Sequence, residues 1–172
     1  MTDTFRLTDE IKAAVARLQS EKIEKFKRRV SVGDLLTERG DNAKLYGFGE
    51  GSTMYDSVLV IGDVKVGRNC WIGPNVILDG SGGLEIGDWC CIDAGAQIYT
   101  HDSSDRFVNM GQGSDPRKPT KIGSGVFIGP QSVVTMGVTI GDRVKIGAMS
   151  FVNKDVPSDS TAFGAPARIK GT

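Results

Sequence analysis

Residues 122–152 read I-G-S-G-V-F-I-G-P-Q-S-V-V-T-M-G-V-T-I-G-D-R-V-K-I-G-A-M-S-F-V. Every sixth position is aliphatic: Ile122, Ile128, Val134, Ile140, Ile146 and Val152. The same register runs back through Val60, Val66, Ile72 and Leu78, skips two residues, and resumes at Ile86, Ile92 and Ile98. Such a fixed period is the mark of a repeat architecture. The residue two before each aliphatic is small or β-branched, as at Val58, Cys70, Val76, Cys90, Ala96, Val126, Ser132, Val144 and Ser150. Both columns must face a narrow interior. Each hexapeptide is then a short flat strand followed by a bend, and three of them close a triangular coil of about 18 residues. Stacked coils pair their strands in parallel around a column of aliphatic layers, so chemistry must lie on the outside. Glycine follows seven of the aliphatics (Gly67, Gly73, Gly87, Gly123, Gly129, Gly141 and Gly147), where a corner is expected to need a backbone conformation that a side chain would obstruct.

The expected fold is therefore all-β, a parallel β-helix of hexapeptide repeats over residues 46–157, with an N-terminal helical extension over 1–45 and a C-terminal tail over 158–172. Leu7, Ile11, Val15, Leu18 and Phe26 follow helical spacing from about Asp9 to Arg29, and a second short helix is expected from Ser31 to just before Gly40. These helices are expected to cap the open end of the stack; their basic end, Lys27 to Arg29, is the alternative meeting point for an anionic substrate. Two interruptions break the register: D-G-S-G-G at 79–83, and a polar loop at 102–119. Insertions in repeat proteins sit on the binding face. Twenty-one Lys and Arg balance twenty-one Asp and Glu, which disfavours a nucleic-acid partner. The aliphatic runs are too short for a membrane span, and the charged start of the chain lacks an apolar signal core, so a cytoplasmic location is expected. Cys70 and Cys90 fall in the inward column and read as core filler, with Cys91 facing out; the three lack the paired spacing of a zinc site, and no metal is expected.

The segment 122–169, with N-K-D-V-P at 153–157 and G-A-P-A-R at 164–168, resembles the sugar O-acetyltransferase branch of the hexapeptide-repeat acyltransferases. D-G-S-G-G-L-E-I-G-D and Y-T-H-D (99–102) resemble that family's active-site stretch. The resemblance covers roughly Val58 to the end of the sequence. It implies a left-handed winding, a homotrimer with active sites between neighbouring subunits, and acetyl-CoA as donor to a sugar or glycan acceptor.

Acetyl transfer to a hydroxyl needs a base, and imidazole, with an unperturbed pKa of about 6.5, suits the task near neutrality. The chain has a single histidine, His101, placed where the repeat breaks into the long loop. A lone histidine is usually structural; inside Y-T-H-D and this repeat it reads as the general base. Counting through the insertion puts Leu78 under Ile98, so Asp79 is expected close to the imidazole, to orient it or to accept a substrate hydroxyl; otherwise it is a turn aspartate before Gly80. By the resemblance, Asn75 is an acceptor-binding candidate, and Asp93 and Asp102 are further candidates, although both residue types also suit turns. The resemblance likewise places the pantetheine arm along Phe127, Gly129, Gly147 and Ala148, and the nucleotide phosphates near Lys154, Arg168 and Lys170.

The pattern is not complete. Pro130 stands where galactoside-type members carry a serine near the thioester, so oxyanion stabilisation has to come from elsewhere. Met149 and Ala165 replace the commoner glycine and asparagine. Other readings of the same architecture are an amino-sugar N-acyltransferase, a serine acetyltransferase, whose long helical domain has no counterpart here, and a non-catalytic scaffold. A zinc carbonic anhydrase needs more histidines than this chain has.

Overall fold

The computed structural model describes residues 2–170. The chain divides at Glu38 and Arg39 into two compact units. In the first, helix α1 spans Thr2–Phe26, starting well before the expected position. It ends where Lys27 adopts a positive φ of 53° while its N–H still donates to the Ile23 carbonyl. Helix α2 (Val32–Leu36) is capped by Ser31, whose hydroxyl accepts the Asp34 N–H. The helix expected to stop before Gly40 is interrupted at Thr37 instead, and a separate helix, α3 (Arg39–Leu45), begins in the second unit and contains Gly40.

The second unit is the coil stack. Its first face carries one short strand per coil, paired in parallel from Thr53–Met54 through Trp71–Ile72, Cys91–Ile92, Phe127–Ile128 and Lys145–Ile146 to Thr161–Phe163. The second face stacks Leu59 and Val60 under Ile77 and Leu78, then Gln97–Ile98, Val133–Val134 and Phe151–Val152. The third stacks Val64 to Val66, Leu84 to Ile86, Thr120–Ile122 and Thr139–Ile140. Ala162 is 1% exposed, so the stack continues past the boundary drawn at residue 157, and Arg168–Lys170 then folds back antiparallel on Thr161–Phe163. At the other end, α3 closes the first coil through buried Ala43, with Phe48 and Met54 in the same core.

Twelve of the thirteen repeat aliphatics are buried, Ile72, Leu78, Ile92, Ile98, Ile128, Val134 and Ile146 completely; Val60, in the first coil, is partly open. Serines in the small column satisfy their hydroxyls along the stack: Ser52 donates to the Gly67 carbonyl and accepts the Cys70 N–H. Cys70 and Cys90 are core residues, and Cys91 is half-buried.

The glycines that follow the aliphatics are required for a different reason from the one expected. Positive φ falls two residues later in the corner, at Asn69, Trp89 and Arg143 in one column and at Asn75, Gln131 and Met149 in another. Gly67, Gly87, Gly123 and Gly141 are instead needed for spacing: a Cβ on Gly87 would lie 2.8 Å from the backbone carbon of Gly123 and 2.6 Å from the Ser124 hydroxyl. Adjacent coils approach too closely there for any side chain.

Candidate active site

Leu78 pairs with Ile98, which puts the D-G-S-G-G insertion directly beneath the segment where the chain leaves the repeat. His101 Nδ1 lies 2.6 Å from Asp79 Oδ2. The carboxylate is fully buried, whereas the imidazole is 30% exposed. Asp79 is held by more than histidine. Its Oδ1 accepts from the Ser81 hydroxyl at 2.5 Å and the Ser81 N–H at 3.0 Å, and its Oδ2 accepts from the Thr100 N–H at 2.7 Å. The Thr100 hydroxyl donates to the Asp79 carbonyl and accepts the Gly82 N–H, tying the insertion to the coil above.

Burial pushes the Asp79 carboxyl pKa up, but hydrogen bonds from the Ser81 hydroxyl, the Thr100 N–H and His101 outweigh that cost and hold it well below the usual carboxylate range. A carboxylate accepts only, so Nδ1 carries the proton and Nε2 is the unprotonated nitrogen of the neutral ring. That tautomer is assigned from the acceptor it faces. Among the described residues no group is hydrogen-bonded to Nε2. The contact fixes the tautomer of a partly exposed imidazole. Both Asp79 oxygens already have donors, so no oxygen of this buried carboxylate is free for a substrate hydroxyl.

Asp102 is next to this pair, exposed, and accepts the Ser104 N–H as the chain enters the short helix α4 (Ser104–Val108). The other candidates lie elsewhere. Asn75 is the positive-φ residue of the corner that follows the first face, and Asp93 opens the same corner one coil on, its Oδ1 accepting the Ala94 N–H. Phe127 lies on the first-face strand leading into that corner one coil higher, and Gly129, Gly147 and Ala148 continue up the corner. The Gly129 N–H is bonded to the Ile146 carbonyl and the Gly147 N–H to the Ala162 carbonyl, so neither amide is available to a ligand. The Ala148 N–H has no partner among the described residues. Lys154 and Arg168 line one cleft of about 430 Å³ with Asn153, Asp155, Ala162 and Ala167, and Lys170 is exposed at the end of the last strand. No group of three or more His, Cys, Asp or Glu among the described residues is placed to hold a metal, and no helix there is long and apolar enough to cross a membrane.

Sequence reasoning missed Ser81 and Thr100. The D-x-S spacing is a known turn signal, in which an aspartate accepts a hydrogen bond from two residues on, and it was the available clue for Ser81. Thr100 carries no comparable mark.

Residues 119–154 match the model of the bacterial transferase hexapeptide (six repeats), and residues 63–100 match that of the hexapeptide repeat of succinyl-transferase. Nodulation protein L of Rhizobium meliloti is 34% identical over 63% of this chain and 60% of its own length. Galactoside O-acetyltransferase of Escherichia coli is 32% identical over 62% of this chain and 53% of its own. The chain thus spans little more than half the length of these relatives. A hexapeptide-repeat acetyltransferase of Vibrio cholerae, solved with acetyl-CoA, superposes with a TM-score of 0.69 at 28% identity, over 95% of this chain and 87% of that one. The winding matches a left-handed β-helix. The N-acyltransferase AntD of Bacillus cereus, at 23% identity and a TM-score of 0.67, shares the fold.

Proposed function

We infer that this chain, a member of the hexapeptide-repeat transferases, moves an acetyl group from acetyl-CoA to a hydroxyl of a sugar or glycan. The observation that carries the reading is the 2.6 Å contact between His101 Nδ1 and the buried Asp79 carboxylate, which leaves Nε2 as the exposed base. Nε2 takes the proton of the attacking hydroxyl as its oxygen forms a bond to the thioester carbonyl carbon. Asp79 stabilises the imidazolium so formed. When the intermediate collapses the C–S bond breaks, and the imidazolium returns the proton to the departing thiolate, so that the products are an acetyl ester and free CoA.

His101 and Asp79 belong to one corner of the coil, while Asn75, Asp93, Phe127 and Ala148 belong to another. Groups divided in this way serve one reaction when the corners of neighbouring copies meet, which supports the homotrimer implied by the resemblance. Lys154 and Arg168 are assigned to the nucleotide phosphates of CoA, and the free Ala148 N–H is the group available to the developing oxyanion in place of the serine replaced by Pro130.

Thiol release from acetyl-CoA, measured across hydroxyl and amino saccharides, tests the reading. Transfer is expected to a hydroxyl sugar, giving an alkali-labile ester. His101→Ala is expected to lose about 10² to 10⁴ in rate. An unimpaired His101→Ala enzyme would remove the base from the mechanism, and an amide product would replace the acceptor class.

A further inference from the structure

We propose that Asp115 and Arg117, on the returning limb of the loop, form an acceptor subsite beside His101, with the partly exposed Asp115 carboxylate receiving a second hydroxyl of a polyhydroxylated acceptor. The proposal rests on the acetyl-transfer reading and adds to it the residue that reads the acceptor.

The two limbs of the loop meet as a short antiparallel ribbon in which His101 faces Arg117. The Asp102 N–H donates to the Pro116 carbonyl at 3.1 Å, and the Lys118 N–H donates to the Thr100 carbonyl at 2.9 Å. These bonds flank the His101 and Arg117 pair without joining its members. In such a pair the side chains come closest, with Cβ atoms about 4.5–5.5 Å apart. Gly82 makes room for Arg117: a Cβ on Gly82 would stand 3.2 Å from the Arg117 Cβ and 2.5 Å from the Thr100 carbonyl oxygen. Asp115 joins this group through Arg117, whose Nη2 is the cation nearest its carboxylate.

Asp115 is incompletely satisfied. Its Oδ2 lies 3.8 Å from Arg117 Nη2, an ion pair longer than a hydrogen bond, and the side chain is 29% exposed. Its Oδ1 is shielded from solvent and has no donor among the described residues. A buried acceptor left unpaired costs free energy, and one whose ion-pair partner faces His101 calls for an explanation in terms of a ligand. The missing group is a donor, and a carboxylate favours a hydroxyl hydrogen. Sugars present a second hydroxyl a few ångströms from the one that reacts. Arg117 is a positioning residue here: its guanidinium, 3.8 Å from Asp115 Oδ2, holds the direction of the carboxylate.

The test crosses Asp115→Asn with a series of singly deoxygenated versions of an acceptor saccharide that the wild-type enzyme acetylates. With wild-type enzyme, removal of one particular hydroxyl other than the acetylated one is expected to lower kcat/KM about 10- to 100-fold, as for loss of a hydrogen bond to a charged group. Asp115→Asn is expected to lose a similar factor on the full acceptor, to show no further loss with that deoxy compound, and to keep its KM for acetyl-CoA within about two-fold of wild type. Unchanged kinetics in Asp115→Asn, or a deoxy penalty that persists in it, would overturn the subsite alone. Absence of transfer to any saccharide would sink the acetyl-transfer reading and the subsite together.

Discussion

Asp79 shows how one residue sets the state of another. An isolated buried carboxylate would take up a proton, and here the Ser81 and Thr100 donors prevent it. Its folded pKa is depressed, so its contribution to stability is full above the unfolded value near 3.9 and is lost as pH falls through the lower folded value. The margin by which wild type exceeds Asp79→Asn in urea unfolding should therefore shrink as pH falls below about 4. A margin that does not shrink below about pH 4 would show that the folded carboxyl is not held below its unfolded value. Ser81→Ala removes the shortest of these hydrogen bonds while leaving the Ser81 N–H in place. Its expected effect is a fall of about 10-fold in kcat with an altered pH profile, because a carboxylate that is less firmly held orients the imidazole less well. A loss of stability with an unaltered profile would reduce Ser81 to a structural part of the turn.

At the scale of the elements, corners and strands obey different constraints, and the sequence displays them unequally. The aliphatic column is visible because burial selects for it at every turn, and it located the strands and the Leu78 and Ile98 pairing. The glycines were visible too, but periodicity does not distinguish a backbone that needs positive φ from one that is merely crowded. Crowding is a relation between coils, so it appears only once the coils are stacked. Asp115 and Arg117 were illegible for the same reason, since their significance lies in a chain that leaves at Thr100 and returns at Lys118. Two substitutions separate the roles of glycine. Gly87→Ala forces a Cβ against the next coil and should destabilise by about 1–3 kcal/mol, in the range for overpacking a core. Gly40→Ala meets nothing within 4 Å, lies in α3, and should stabilise by up to about 1 kcal/mol through helix propensity. Chemical denaturation of the two variants checks both signs; equal effects would show that crowding between coils is not what selects glycine at position 87.

The whole molecule confines chemistry to its surface, because the stack is filled along its axis by side chains such as Leu78, Ile98 and Val134 that are completely buried. A reaction that needs a base, a donor groove and exclusion of water has to find its walls outside the single chain. The loop beside His101 presents Phe107, Val108 and Met110, which are 75%, 79% and 93% exposed, an apolar cluster that a neighbouring copy would cover. The proposed trimer would supply both the walls and the cover. Light scattering should therefore give three times the 18.4 kDa of one chain, and the mass should not change in His101→Ala, since the imidazole is placed to act on substrate and not to hold copies together. A monomer that still transfers acetyl groups at full rate would show instead that one chain holds a complete site, and would move the donor groove to the same corner as the base.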